Sequence, residues 1–457
     1  MLSRLLAQYI LGFVIFTASS FALSNTEFTY NVIDGGIEIT GCVGDCPSDL
    51  VIPDEINGYS VNAISGFATK SITSVSIPNT VKVITPMAFE NNNLSSLTIP
   101  EGVTTIGWLA FGGNNINAVS LPSSLSHLGD GAFFNNQLTD ISIPDNIFSI
   151  GADTFRNNKI SNLSLPEGIS EIERAAFRDN KIHNLQLPLS IKHIGESAFS
   201  NNQIQNLFLP DGLLTIGADA FEHNLLTELV IPSGLSVIED ASFRYNYLTD
   251  IQIPANITTI GHCAFCGNII KKVVIPDSVT HIGSYAFNSN EITDLTLSNS
   301  LTSIYSHTFN DNHLTNIIIP DSVKNIEDYA FGINAISEVA LPSDLSFIGS
   351  DSFHNNPLTN ITFCQNADNN WDNIIIEAIT PQLDENCDNS NDLEQPAQYS
   401  VFDIDQNGSF DALTDALVLL RYAFGLRGDN LINGAIASDA NRTSADAIEA
   451  HIQSLLP

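Results

Sequence analysis

Basic side chains are scarce in this chain. Its 457 residues carry 16 Lys and Arg against 51 Asp and Glu, a formal net charge of -35 at pH 7. That balance excludes a nucleic-acid binder, which needs a basic footprint to meet phosphate. It also argues against docking on an anionic membrane face. Charge of either sign is thin, at 15% of residues, while 43% are hydrophobic. A chain so composed builds a core instead of staying disordered, with Ser, Thr and Asn filling its polar positions. Catalytic signatures are missing too. There is no H-E-x-x-H, no G-x-S-x-G, no phosphate-binding loop and no dinucleotide-binding glycine motif after a strand. The ten His are scattered over variable positions such as His183, His223 and His313. These absences predict a protein that is not an enzyme.

Only one apolar run stands out, at the start. Arg4 precedes an apolar stretch over residues 9–17, and Ser20 and Ala22 supply the small residues a signal peptidase reads. Residues 1–22 are therefore expected to be a secretory signal peptide cleaved after Ala22. The run is shorter than the roughly 20 residues a membrane span requires, and no second one follows, so no span is expected in the mature chain. The expected location is extracellular, secreted or at the cell surface. Six Cys fit an oxidising compartment. Cys42 and Cys46 share one turn, and Cys364 and Cys387 bracket a 24-residue segment, so each pair is expected to form a disulfide closing one end. Cys263 and Cys266 form a lone C-x-x-C around Ala264-Phe265, with no second such pair to complete four zinc ligands.

What is abundant is repetition. Proline recurs every 22 residues from Pro78 to Pro342, except where Ser298 fills one slot. Phenylalanine keeps the same phase without a miss from Phe67 to Phe353, and asparagine from Asn92 to Asn356. The unit reads L-x-x-L-x-[IL]-P-x-x-[VIL]-x-x-I-x-x-x-A-F-x-x-N-x, as in Ile160, Leu163, Leu165, Pro166, Ile169, Ile172, Ala176, Phe177 and Asn180. The first half has the period-2 pattern of a short strand, which the proline ends because it cannot donate to a ladder. Ala-Phe points inward, and a buried asparagine serves turn backbone groups, stacking into a ladder from coil to coil. A lone unit cannot offset its ordering entropy, so the fold class is a repeat solenoid with capped ends.

The core [IL]-P-x-x-[VIL]-x-x-I-G-x-x-A-F, seen at Leu165-Pro166 and at Ile194-Gly195 to Ala198-Phe199, resembles the leucine-rich repeats of BspA-type surface proteins. The resemblance covers roughly residues 26–363. It implies a solenoid of short parallel β-strands in an exported adhesion or binding protein. Many relatives carry Cys where this chain has Asn.

Outward strand positions can be read from the period. The row two before each proline is small and polar from Ser76 to Ser164, then carries Phe208, Val230, Val274 and Ile318. These four are the candidate ligand face, apolar anchors ringed by polar groups, for a protein or glycan ligand. The alternative reading is ordinary strand propensity.

After a polar linker over residues 388–400 the phase breaks. Asp403, Asp405, Asn407, the carbonyl of Ser409 and Asp411 stand where a calcium loop places its oxygens, with Gly408 at the turn. The closing position holds Thr414, so that ligand falls to Asp415. A poorer copy has Asp439, Asn441, Thr443 and Glu449, with Ile448, Ile452 and Leu455 on a helix. Loop–helix twice over resembles a dockerin or EF-hand-like module, which implies bound Ca2+ and a protein partner. The expected organisation is signal peptide 1–22, N-terminal cap 23–77, solenoid 78–363, C-terminal cap 364–387, linker 388–400 and a small α-helical calcium-loop domain 401–457. A structural spacer or surface-layer protein is the alternative function, and a secreted hydrolase the remote one.

Overall fold

The computed structural model describes residues 27–363, Gln382–Leu383, and Ser444, Ile448, Ile452 and Gln453. The expected signal peptide, the Cys364 and Cys387 pair and the linker lie outside the described residues. So do the proposed calcium ligands Asp403, Asp405, Asn407, Ser409, Asp411, Asp415, Asp439, Asn441, Thr443 and Glu449. The chain divides into two units, Met1–Asp384 and Glu385–Pro457. In the second, Ile448 and Ile452 are buried in helical backbone, and the Ile448 N–H donates to the Ser444 carbonyl at 3.1 Å.

The first unit is a solenoid with three sides. One side is a sheet of strands that run into the prolines, such as Asp140–Ser142 paired in parallel with Asn162–Ser164. A second is a sheet of strands that run into the glycines, where Ser149–Ile150, Glu171–Ile172, His193–Ile194 and Thr215–Ile216 pair in parallel, one repeat apart. Between them the proline carbonyl closes a turn, as when the Ile169 N–H donates to Pro166 at 3.2 Å. Ser298 keeps this turn without a proline. It is buried, its hydroxyl donates to the Val279 carbonyl at 2.7 Å and accepts the Ser300 N–H at 3.0 Å.

The third side has no strands, yet it is laddered as fully. Around each Ala-Phe, alternate residues donate to carbonyls of the next coil: Asp153 to Arg174, Phe155 to Ala176, Asn157 to Arg178, at 2.8–2.9 Å. Two left-handed residues per coil make this possible, here Asp153 and Asn157 with φ of 55° and 56°. Each such non-glycine residue costs roughly 1–2 kcal/mol, offset by the bonds it allows. Close approach explains the repeated glycine before this turn. A Cβ on Gly217 would sit 2.5 Å from the Glu196 backbone nitrogen of the preceding coil.

Two continuous columns fill the interior. The phenylalanine rings from Phe67 to Phe353 stack at 5.4–5.9 Å between centroids. Beside them runs the asparagine ladder. Asn202 Nδ2 donates to the carbonyls of Phe177 at 2.9 Å and Phe199 at 3.1 Å, and its Oδ1 accepts the Ile182 N–H at 3.0 Å. Each amide thus ties its own turn to the preceding coil.

The N-terminal lead-in already supplies rungs. Phe28–Ile33 and Gly36–Cys42 form an antiparallel hairpin, and Gly36–Cys42 then pairs in parallel with Tyr59–Ile64. Asp49–Val51 pairs in parallel with Ser74–Ser76 and so starts the proline-side sheet. Cys42 is bonded to Cys46, with Cα atoms 5.4 Å apart. At the other end, Asn360–Phe363 pairs in parallel with Gln382–Leu383. Among the described residues no helix is long and apolar enough to cross a membrane.

Candidate functional site

Strand alternation decides what the proline-side sheet shows to solvent. In Asp140–Ser142 the middle residue Ile141 is buried, while Asp140 and Ser142 are exposed. Two outward rows result, four and two residues before each proline. In the first row Asp140 accepts hydrogen bonds from the Thr139 hydroxyl at 2.7 Å and from Asn162 Nδ2 in the next coil. These two bonds hold the Asp140 carboxyl below the usual carboxylate range. Further along, the backbones of Asp250 and Lys272 pair in parallel, and the Lys272 ammonium pairs with the Asp294 carboxylate at 2.9 Å.

The second row carries the apolar candidates. Phe208 is 66% exposed, Val230 79%, Val274 49% and Ile318 46%. Phe208 and Val230 are neighbours in adjacent coils and line one groove of about 460 Å3 with Asn184, Gln186, Asn206 and Glu228. Val274 and Ile318 lie on the same face but apart, Val274 beyond Gln252 and Ile318 beyond Thr296. A larger groove, about 1130 Å3, covers the polar half of the face. Its floor is Ser120, Ser142, Ser164, Asp140, Asn162 and Asn184, and its rim includes Glu101, Asp145 and Asn146. Asn184 and Gln186 line both grooves.

Several features escape the sequence reading. The acids after the prolines do more than face water. Glu101, Glu167 and Asp277 accept the backbone N–H of Ser123 at 3.3 Å, Leu189 at 3.3 Å and Asn299 at 2.7 Å, each one coil on. Phe148, Leu189 and Leu214 are exposed at turn positions, where only departures from the polar consensus could have flagged them. Cys263 and Cys266 are bonded to each other and buried, because they close the two ends of one Ala-Phe turn with Cα atoms 4.9 Å apart. Tyr285, His307 and Tyr329 hold equivalent positions in successive coils, and their rings stack at 4.4 and 4.7 Å.

Burial in that stack pushes the His307 imidazole below its usual range, against a smaller opposing pull from Asp328. The folded chain therefore favours neutral His307, and this contribution is lost as pH falls below the unfolded histidine value of about 6.5. Glu173, which occupies a slot that is glycine at Gly195 and Gly217, behaves oppositely. Burial raises its carboxyl, and so does the charge of Asp130, so its protonation at acid pH stabilises the fold. As pH falls the histidine loses its contribution, while Glu173 gains its own once pH passes through its raised folded value, so the two oppose each other. Between about pH 7.5 and 5.5 the melting temperature should fall less in His307→Tyr, which reproduces the residues stacked on either side, than in the unaltered chain. An equal fall in both proteins would contradict the assignment.

Comparison with solved structures finds matches of low identity. A leucine rich cell surface protein from Faecalibacterium prausnitzii has 23% identity and a TM-score of 0.49, over 76% of this chain and 96% of that one. A leucine-rich repeat protein from Bacteroides ovatus has 19% identity and a TM-score of 0.47, over 79% and 100%. YopM from Yersinia enterocolitica has 18% identity and a TM-score of 0.42, over 73% and 69%. No curated protein matches the chain. The BspA type leucine rich repeat model matches residues 63–183, 170–292 and 263–374, together more than half of the sequence. On that match, and on the 22-residue coils that carry it, the chain belongs to the BspA-type leucine-rich repeat family.

Proposed function

We propose that this chain is a non-enzymatic, exported binding protein that contacts a protein partner through the outward face of its proline-side sheet. The observation that carries the reading is the exposed pair Phe208 and Val230, side by side on a grooved sheet face. Large apolar side chains at the centre of a polar surface are the usual anchors of a contact, because burying them against a partner removes apolar area from water. Export is supported by the signal-like residues 1–22 and by two disulfides, which persist outside the cytosol. A spacer would gain nothing from this row. In the same reading, residues 401–457 act as a calcium-dependent docking end, on the spacing of Asp403, Asp405, Asn407, Asp411 and Asp415.

The test is quantitative capture of cell-surface partners by the intact mature chain and by a Phe208→Ser, Val230→Ser double variant. The variant should keep its melting temperature and lose affinity about tenfold or more. Chelator should remove only a component that the double variant retains. Unchanged affinity in the variant would favour the spacer.

A further inference from the structure

The two grooves on the proline-side sheet meet at Asn184 and Gln186, so they form one track with a polar end and an apolar end. Its chemistry is lopsided. At the polar end the lining carries Asp140, Asp145 and Glu101, with hydroxyls and side-chain amides between them, and no Lys or Arg. At the apolar end Phe208 and Val230 are joined by Glu228, again with no cation. Asp140 does not lose its charge to its neighbours, since Thr139 and Asn162 both donate to it. The basic side chain nearest in sequence on this outward row, Lys272, lies beyond the track and is already paired with Asp294 at 2.9 Å.

The dimensions select a shape. From Ser120 to Val230 the row two before the proline crosses six coils, Ser120, Ser142, Ser164, Gln186, Phe208 and Val230. At about 4.8 Å between neighbouring strands, this is roughly 24 Å, the reach of an extended peptide of about seven residues. We infer that the track takes an extended, bipartite segment of the partner protein, with Lys or Arg over Asp140, Asp145 and Glu101 and an aromatic or aliphatic side chain over Phe208 and Val230. This rests on the reading of the same face as the contact surface and adds the chemical class of what sits there. Charge complementarity favours this occupant over a neutral glycan. A neutral sugar brings no counter-charge to three carboxylates.

The experiment uses the full mature chain and fluorescent octapeptides. One peptide carries three lysines at one end and Phe-Leu at the other, a second has the reverse order, and a third replaces the lysines by glutamine. A neutral glucose oligosaccharide is the fourth probe. One of the lysine peptides should bind, more weakly at higher salt, and Asp140→Asn with Asp145→Asn should weaken it about fivefold. The glutamine peptide should bind about fivefold more weakly to the unaltered chain. Both acids are exposed, so the variant's melting temperature is expected to change little, and binding compared well below it separates lost charge from lost fold. Equal binding of the lysine and glutamine peptides, retention of the oligosaccharide alone, or no binding by any peptide would overturn the inference. None of these results touches the contact-face reading, which stands or falls on partner capture by the Phe208→Ser, Val230→Ser variant.

Discussion

Replacing Asn202 by alanine is expected to cost about 2–4 kcal/mol of folding free energy, read as a lower urea midpoint. The size follows from what the amide serves. Its Oδ1 accepts the buried Ile182 N–H at 3.0 Å, the hydrogen bond that group makes in the structure. Leaving one buried donor unpaired costs about 1–3 kcal/mol, and the vacated space adds to that. The two carbonyls that Asn202 also serves are better protected. Phe199 still receives Asn224 Nδ2 at 2.9 Å, and Phe177 still receives Asn180 Nδ2 at 3.1 Å. Asn202→Asp should be worse than alanine, although it is nearly isosteric. A carboxylate would point its second oxygen at two carbonyl oxygens in a site only 7% exposed. The order Asn, then Ala, then Asp is the signature of this ladder. An aspartate variant as stable as the unaltered protein would refute the donor role given to Nδ2.

The second large effect belongs to the aromatic column. Phe199 is fully buried and stacked between Phe177 at 5.5 Å and Phe221 at 5.6 Å. Phe199→Ala should cost about 3–5 kcal/mol, the transfer of a ring plus the cavity it leaves. In a quasi-one-dimensional array this damage is shared by two interfaces. Unfolding should therefore lose its single sharp transition and separate into two, with residues on either side of coil 199 melting independently. Phe199→Leu fills much of the space and should cost less. A single transition with a loss under about 1 kcal/mol in the alanine variant would show that the column is not continuous.

Much of this architecture was legible in the sequence because inward positions of a coil leave no choice. Phe, Asn and the paired Leu and Ile keep phase from coil to coil since each must meet its copies above and below. The third side was less legible. Its two left-handed positions per coil are held by residues as unlike as Asp153, Ala175, Ser197 and Tyr285, so no glycine marks them. Nothing within one repeat marks the acids after the prolines as caps, and only the coil-to-coil register shows that they accept the next backbone N–H. The C-x-x-C at Cys263 read only as a lone pair flanking a repeat Ala-Phe, too few for four zinc ligands; the turn geometry brings the two sulfurs together. For the proposed contact face, period-2 alternation marks the outward rows, including Phe208 and Val230. The groove that joins them to Asp140 and Asn162 depends on the stacking of coils and is not written in any one repeat.

An interior ladder holds the coils, and the outward face is proposed to do the binding. Two variants measured side by side for melting temperature and partner affinity test that separation most directly. Asn202→Ala should melt lower and, below its transition, bind the partner as the unaltered chain does. Phe208→Ser should melt at the unaltered temperature and bind about tenfold or more weakly. If Phe208→Ser leaves affinity intact, or if the two losses track each other in both variants, the division is wrong.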